Sequence, residues 1–268
     1  MNKTLKIFNT IAFIAMITVN ILANALPLFG NATGAVSLKY ENLFTPAGFT
    51  FIIWGVIYFF MTLFVLYQWG FLDTGKLSDR VTKDIGPLFI ISCAFNILWI
   101  FAWHSERIGL SVISIVFLLL SLLVIESQLE LTKRHGITPR TTIGVGFDIY
   151  FGWIIAATIA NITVWLTAID WNRFGLSENF WLIFVILAGA AISSLTAVKM
   201  KRWVPAGAVM WAYIGILARH ISSDFSNGGY TAFIIAGIVI VEFLAFVVLP
   251  KAKSGNDYEE IEIIEYIP

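Results

Sequence analysis

Trp54 and Tyr58 stand four residues apart on one apolar run, a spacing that puts both rings on the same helix face. Asn96 and Trp99 repeat the arrangement at three residues, and Asn161 and Trp165 at four. Trp153 precedes the last pair on the same run. An asparagine inside a membrane helix must find a hydrogen-bond partner, so it points into the bundle. Indole faces with a few fixed polar groups beside them make a concave site for a flat apolar molecule. Helix-to-helix hydrogen bonding alone also accounts for the asparagines. Trp69, Trp103, Trp171, Trp181 and Trp203 fall at the ends of apolar runs, where interfacial anchoring explains them.

Covalent chemistry finds little support. G-x-S-x-G, P-loop and H-E-x-x-H patterns are all missing, so no enzyme is expected. His104, Glu106, His220 and Asp224 belong to one side of the chain's topology, but their spacing matches no zinc signature. The single cysteine, Cys93, excludes an internal disulfide. His104, His135 and His220 are assigned to loops, so a bound tetrapyrrole would be held by stacking and shape, without axial histidine. Glu242 is the one carboxylate well inside an apolar run, a candidate for proton coupling or for a structural hydrogen bond. Glu126 and Asp148 sit near run ends, within reach of Lys133, Arg134 or Arg140.

These residues need elements to carry them. The chain of 268 residues is 59% hydrophobic and 13% charged, with a mean hydropathy of +0.85. A water-soluble domain carries about 25% charged residues. Apolar runs able to cross a ~30 Å hydrocarbon layer recur throughout. The expected fold is an all-α, polytopic membrane helix bundle of eight transmembrane helices: Ile7–Phe29, Pro46–Trp69, Gly86–Trp103, Ile108–Ser127, Gly144–Ala168, Phe180–Val198, Val204–Ala218 and Tyr230–Leu249. Thr45 and Pro46 read as N-cap and first residue of the second helix. Lysine and arginine alternate sides without a break, 13 of 17 falling on the side of the termini. That places both termini in the cytoplasm of a multi-pass protein of the cell membrane. Residues 1–25 also resemble a signal peptide ending in small residues, although the apolar run is long for one.

Loop one, "GNATGAVSLKYENLFT", is long and glycine-containing. The tail after residue 250 is acidic and reads as solvated, with a docking peptide as the alternative. Zero net charge argues against nucleic acid. The remaining partners are the bilayer, a small hydrophobic ligand and a second copy of the chain as a homodimer.

Three runs in order, "FTPAGFTFIIWGVIY", "FNILWIFAWHSERIGL" and "YFGWIIAATIANITVWL", resemble the tryptophan-rich sensory protein family (TspO/MBR), whose animal members are the translocator proteins. The resemblance covers roughly residues 7–170. It divides the chain into a five-helix bundle over 1–170, three additional helices over 171–250 and a tail over 251–268. It implies a pocket for tetrapyrroles or other flat hydrophobic molecules, opening toward loop one. The positions matching the family's motifs are Pro46, Trp54, Tyr58, Asn96, Trp99, Trp153, Asn161 and Trp165. Members carry paired prolines before the second helix and one near the start of the fifth; this chain has only Pro46 at the first place and none in "FDIYFGW". A ligand carboxylate would meet the second helix's N-terminus together with Lys39, Arg107 and Arg219. The expected function is binding, sensing or passage of such a ligand. The alternatives are proton-coupled secondary transport through Glu242 and a membrane docking or regulatory role.

Overall fold

A computed structural model describes residues 3–26, 28–72, 76–134, 141–200, 202–222 and 234–240. Among these the chain is helical with no strand. Helix α1 (Lys3–Ala25) ends in a 3-10 turn, where Phe29 takes a left-handed φ of 55° and shortens the expected first span. Loop one is not bare coil, because it folds into a short helix, α2 (Thr33–Lys39). Then follow α3 (Ile53–Gln68), α4 (Lys76–His104), α5 (Ile108–Arg134), α6 (Thr141–Ala168), α7 (Glu178–Met200) and α8 (Val204–Ser222). Residues 234–240 are helical as well, and the rest of the eighth expected span (Tyr230–Leu249), with Glu242, lies outside the described residues.

Seven of these helical stretches are long and apolar enough to cross a membrane, from Lys3–Ala25 through Val204–Ser222. The protein is therefore an integral membrane helix bundle. The entry to α3 differs from expectation. Thr45 Oγ1 accepts from the Asn42 amide at 3.0 Å and so braces the loop; a 3-10 turn, Gly48–Ile52, leads into α3 without a side-chain cap.

Polar side chains stitch the apolar helices together. Asn20 on α1 donates to Asn96 on α4 at 2.7 Å, and Asn96 donates to the Tyr150 hydroxyl on α6 at 3.0 Å. Nearer loop one, Trp99 Nε1 donates to Asn161 Oδ1 at 3.0 Å, and Asn161 Nδ2 donates to Ser111 Oγ on α5 at 2.8 Å. Such bonds contribute about 0.6 kcal/mol on average within membranes and fix register as well.

Helix α8 packs on the same bundle. Gly152 of α6 lets the Pro205 backbone approach so closely that any Cβ there would fall on its carbonyl. Further along, Gly215 carbonyl oxygen accepts from the Ala47 amide at 3.0 Å, and Trp211 Nε1 donates to Thr50 carbonyl oxygen at 2.9 Å. His220 Nε2 lies 2.8 Å from the Leu43 carbonyl, and Arg219 pairs with Glu41. At its other end, Arg202 bridges Glu126 of α5 and Asp148 of α6, the latter at 3.0 Å. Among the described residues a cation thus reaches these two carboxylates from the lead-in to α8, while the side chains of the expected partners Lys133, Arg134 and Arg140 lie outside the described residues.

Candidate functional site: an aromatic cavity under loop one

Four rings from α3 and α4 form a column. Tyr58 stacks on Trp54 with centroids 5.7 Å apart, Trp54 on Trp99 at 5.6 Å, and Trp99 on Trp103 at 6.0 Å, with neighbouring planes 25° to 27° from parallel. The spacings Trp54–Tyr58 and Trp99–Trp103 put each pair on one helix face, so the two faces meet as a seam. Trp153 of α6 meets Trp54 edge-on at 6.1 Å and 84°, and Phe51 meets Trp153 in the same manner.

Beside this column lies a cavity with about 50 Å³ of free space. Trp54, Trp99, Trp103 and Trp153 line one part of it, and Pro46 and Phe51 contribute from the lead-in to α3. Ala156, Ala157 and Ala160, on α6 with Trp153, also line it, and their small side chains leave the room. Ala212 and Ile216 of α8 complete the enclosure. Asn161 also lines it, with Oδ1 and Nδ2 both bonded to protein.

One polar atom in this apolar enclosure has no protein partner. Trp153 is 3% exposed and its Nε1–H makes no hydrogen bond. A buried indole N–H ordinarily finds an acceptor.

The loop-one end is closed by its own network. Trp103 Nε1 donates to Thr33 carbonyl oxygen at 3.0 Å. His104 is the last residue of α4, fully buried, and not a loop residue as expected. Its Nδ1 faces the Ile100 carbonyl at 2.9 Å and therefore carries the proton, which leaves Nε2 to accept from Thr33 Oγ1 at 3.2 Å. His220 likewise sits in the last turn of α8. Outside the spans, Glu106 collects Lys39 at 2.5 Å, Tyr40 at 2.9 Å and Asn31 at 3.2 Å. The Lys39 ammonium and these hydrogen bonds hold the Glu106 carboxyl below its usual range, and the same partnership raises Lys39 and Tyr40. With Lys39 held by Glu106 and Arg219 by Glu41, neither cation is open to a ligand carboxylate as expected.

The family model described as TSPO-like protein matches residues 6–247. The chain belongs to the TSPO-like protein family. The match runs through α7 and α8, beyond the three motifs that end near residue 170. No curated protein and no solved structure matches the chain.

Of the residues expected at a TSPO-like pocket, Pro46, Trp54, Trp99, Trp153 and Asn161 line the cavity. Tyr58 backs Trp54 without reaching it. Asn96 does not reach the cavity either, because its amide is spent on Asn20 and Tyr150. Trp165 is 38% exposed and is not a lining residue; its indole nitrogen lies close to Gly109 of α5. Trp103 had read as an interfacial anchor but is buried in the column. The i,i+4 relation of Trp99 and Trp103 carried that signal, and the small residues Ala208, Ala212 and Gly215 of α8 carried another.

Proposed function

We propose that this TSPO-like membrane protein binds a flat hydrophobic ligand of tetrapyrrole type in the aromatic cavity, and through that binding senses or passes it. The observation that carries the reading is a cavity lined by four indoles from three helices, one of them, Trp153, with a buried Nε1–H that has no partner among the described residues. No covalent step is assigned, and ligand iron would have no axial histidine.

Without a ligand the cavity is small. Ligand pockets for molecules of this class hold on the order of 300–1,000 Å³, against about 50 Å³ here. A ring inserted between Trp54 and Trp99 needs two van der Waals gaps, roughly 7 Å between the indole planes, whereas their centroids stand 5.6 Å apart. Binding therefore exchanges indole–indole stacking for indole–ligand stacking, with α3 and α4 parting along the seam.

Protoporphyrin titrated into the purified full chain should quench tryptophan emission saturably. Trp153→Phe keeps an aromatic side chain, though a smaller one, and removes the donor, so affinity should fall by roughly three- to tenfold or more, at least the effect of one net hydrogen bond. Unsaturable quenching, or unchanged affinity in Trp153→Phe, would refute the reading.

A further inference from the structure

A second and larger cavity, about 340 Å³, opens between the end of α6, the start of α7 and residues 41–44. Thr163, Leu166 and Asp170 reach it from α6 and the turn that follows, at positions i, i+3 and i+7. Glu178, Trp181 and Val185 reach it from α7 at the same spacing. The α7 stripe runs from Glu178 at the connecting loop to Val185 at its inner end, and the α6 stripe from Asp170 to Leu166 and Thr163, so the slot is charged at its mouth and carries no charge deeper in.

The charges at the mouth do not cancel. Arg173 is paired with Glu178, and Glu41 with Arg219. Asp170 is exposed, and its carboxylate has no cation partner among the described residues. Beside it, Trp171 and Trp181 meet edge to face with centroids 4.8 Å apart, and Trp181 is fixed by its Nε1–H donating to Arg173 carbonyl oxygen at 2.9 Å. A lone carboxylate next to two indoles, over a floor of Leu166, Leu182 and Val185, is the chemistry that receives a cation with an apolar body. The turn also holds Asp170 at φ 50°, Arg173 at φ 56° and Phe174 at φ 53°. Each left-handed residue of this kind costs on the order of 1 kcal/mol and persists only where its surroundings enforce it.

We propose that this outer cavity is a second binding site, selective for a monovalent amphiphilic cation, with Asp170 as its charge partner and Trp171 and Trp181 as its aromatic wall. The proposal does not depend on the ligand assigned to the inner cavity. Phe44 lines both spaces and separates them.

Tetraphenylphosphonium and tetraphenylborate, nearly equal in size and opposite in charge, are suitable probes for equilibrium dialysis against the purified full chain. The phosphonium should bind saturably with one equivalent per chain, and the borate at least tenfold more weakly. Asp170→Asn should erase that preference, because asparagine tolerates a left-handed backbone and leaves the turn intact. Trp181→Ala should weaken the phosphonium by roughly tenfold. Ala212→Phe, which fills the inner cavity, should leave phosphonium binding unchanged, so the two sites fail separately. Equal affinity for the two ions, or a phosphonium affinity unaltered in Asp170→Asn, would overturn the assignment.

Discussion

Trp54 of α3 lies on Trp99 of α4 with ring centroids 5.6 Å apart and planes 27° from parallel, while Trp153 of α6 sets its edge against Trp54. Three helices thus contribute one ring each to a single aromatic contact. On the function proposed above, a ligand would have to outcompete this stack, so its affinity would report a difference between two aromatic contacts.

The α8 wall gives the first prediction. Ala212 lines the cavity and is nearly fully buried. Ala212→Phe should fill the enclosure and raise the dissociation constant for protoporphyrin tenfold or more, the factor that about 1.4 kcal/mol of overpacking produces. Quenching titrations check it, and unchanged affinity would mean that the ligand does not approach α8.

Asn161 and Asn96 should separate. Asn161→Ala strands the Trp99 indole N–H in the bundle and removes the bond to Ser111 Oγ, which should lower stability by about 1–2 kcal/mol and also weaken the ligand by releasing Trp99. Asn96→Ala should lower stability comparably and weaken the ligand less than Asn161→Ala, since its partners are Asn20 and Tyr150 and only Tyr150 touches the column, edge-on at Trp54. Trp165→Ala should leave affinity alone, with any loss of stability coming from its contact with α5. Thermal melts and titrations on the three variants test the division.

The fold was largely legible in the sequence because a hydrocarbon solvent leaves few options: apolar runs of that length become helices. Trp54, Trp99 and Asn161 were legible for a related reason, since helical spacing puts them on inward faces. Asn96 and Trp165 had the same spacing and went elsewhere, because spacing fixes a face without naming the neighbour it meets. Thr33, Ala212 and Ile216 reach the cavity through contacts between segments far apart in the chain, and no local pattern encodes those. Arg202, the partner of Glu126 and Asp148, was hidden for the same reason.

Glu106 should make the loop-one closure sensitive to pH. Its carboxyl lies below its ordinary value because Lys39, Tyr40 and Asn31 favour the charged form. A depressed folded-state value means that the clasp is complete above the ordinary carboxylate range and is lost as pH falls through the lowered value. Lys39 is raised by the same pairing, so its share is complete below the ordinary lysine value and is lost as pH rises past the raised one. Hydrogen exchange of residues 31–45 should therefore be slowest, after correction for intrinsic rates, across the neutral range. Glu106→Gln should show faster exchange at neutral pH with no further acid step. An acid step of full size in that variant would assign the closure to another group.

Arg202 anchors α8 at the opposite end by bridging Glu126 and Asp148, both buried, with Glu126 fully so. Removing one member of a buried charged set costs about 3–5 kcal/mol. Arg202→Met should therefore destabilise the bundle by that amount, and the loss should appear first as loosening of α8 from α5 and α6. Replacing the carboxylates as well, with Glu126→Gln and Asp148→Asn in the same chain, should return most of the stability, because neutral amides no longer need the guanidinium. Melting temperatures of the single and triple variants decide the point. A triple variant no more stable than Arg202→Met would show that Arg202 acts through packing of its stem rather than through its charge.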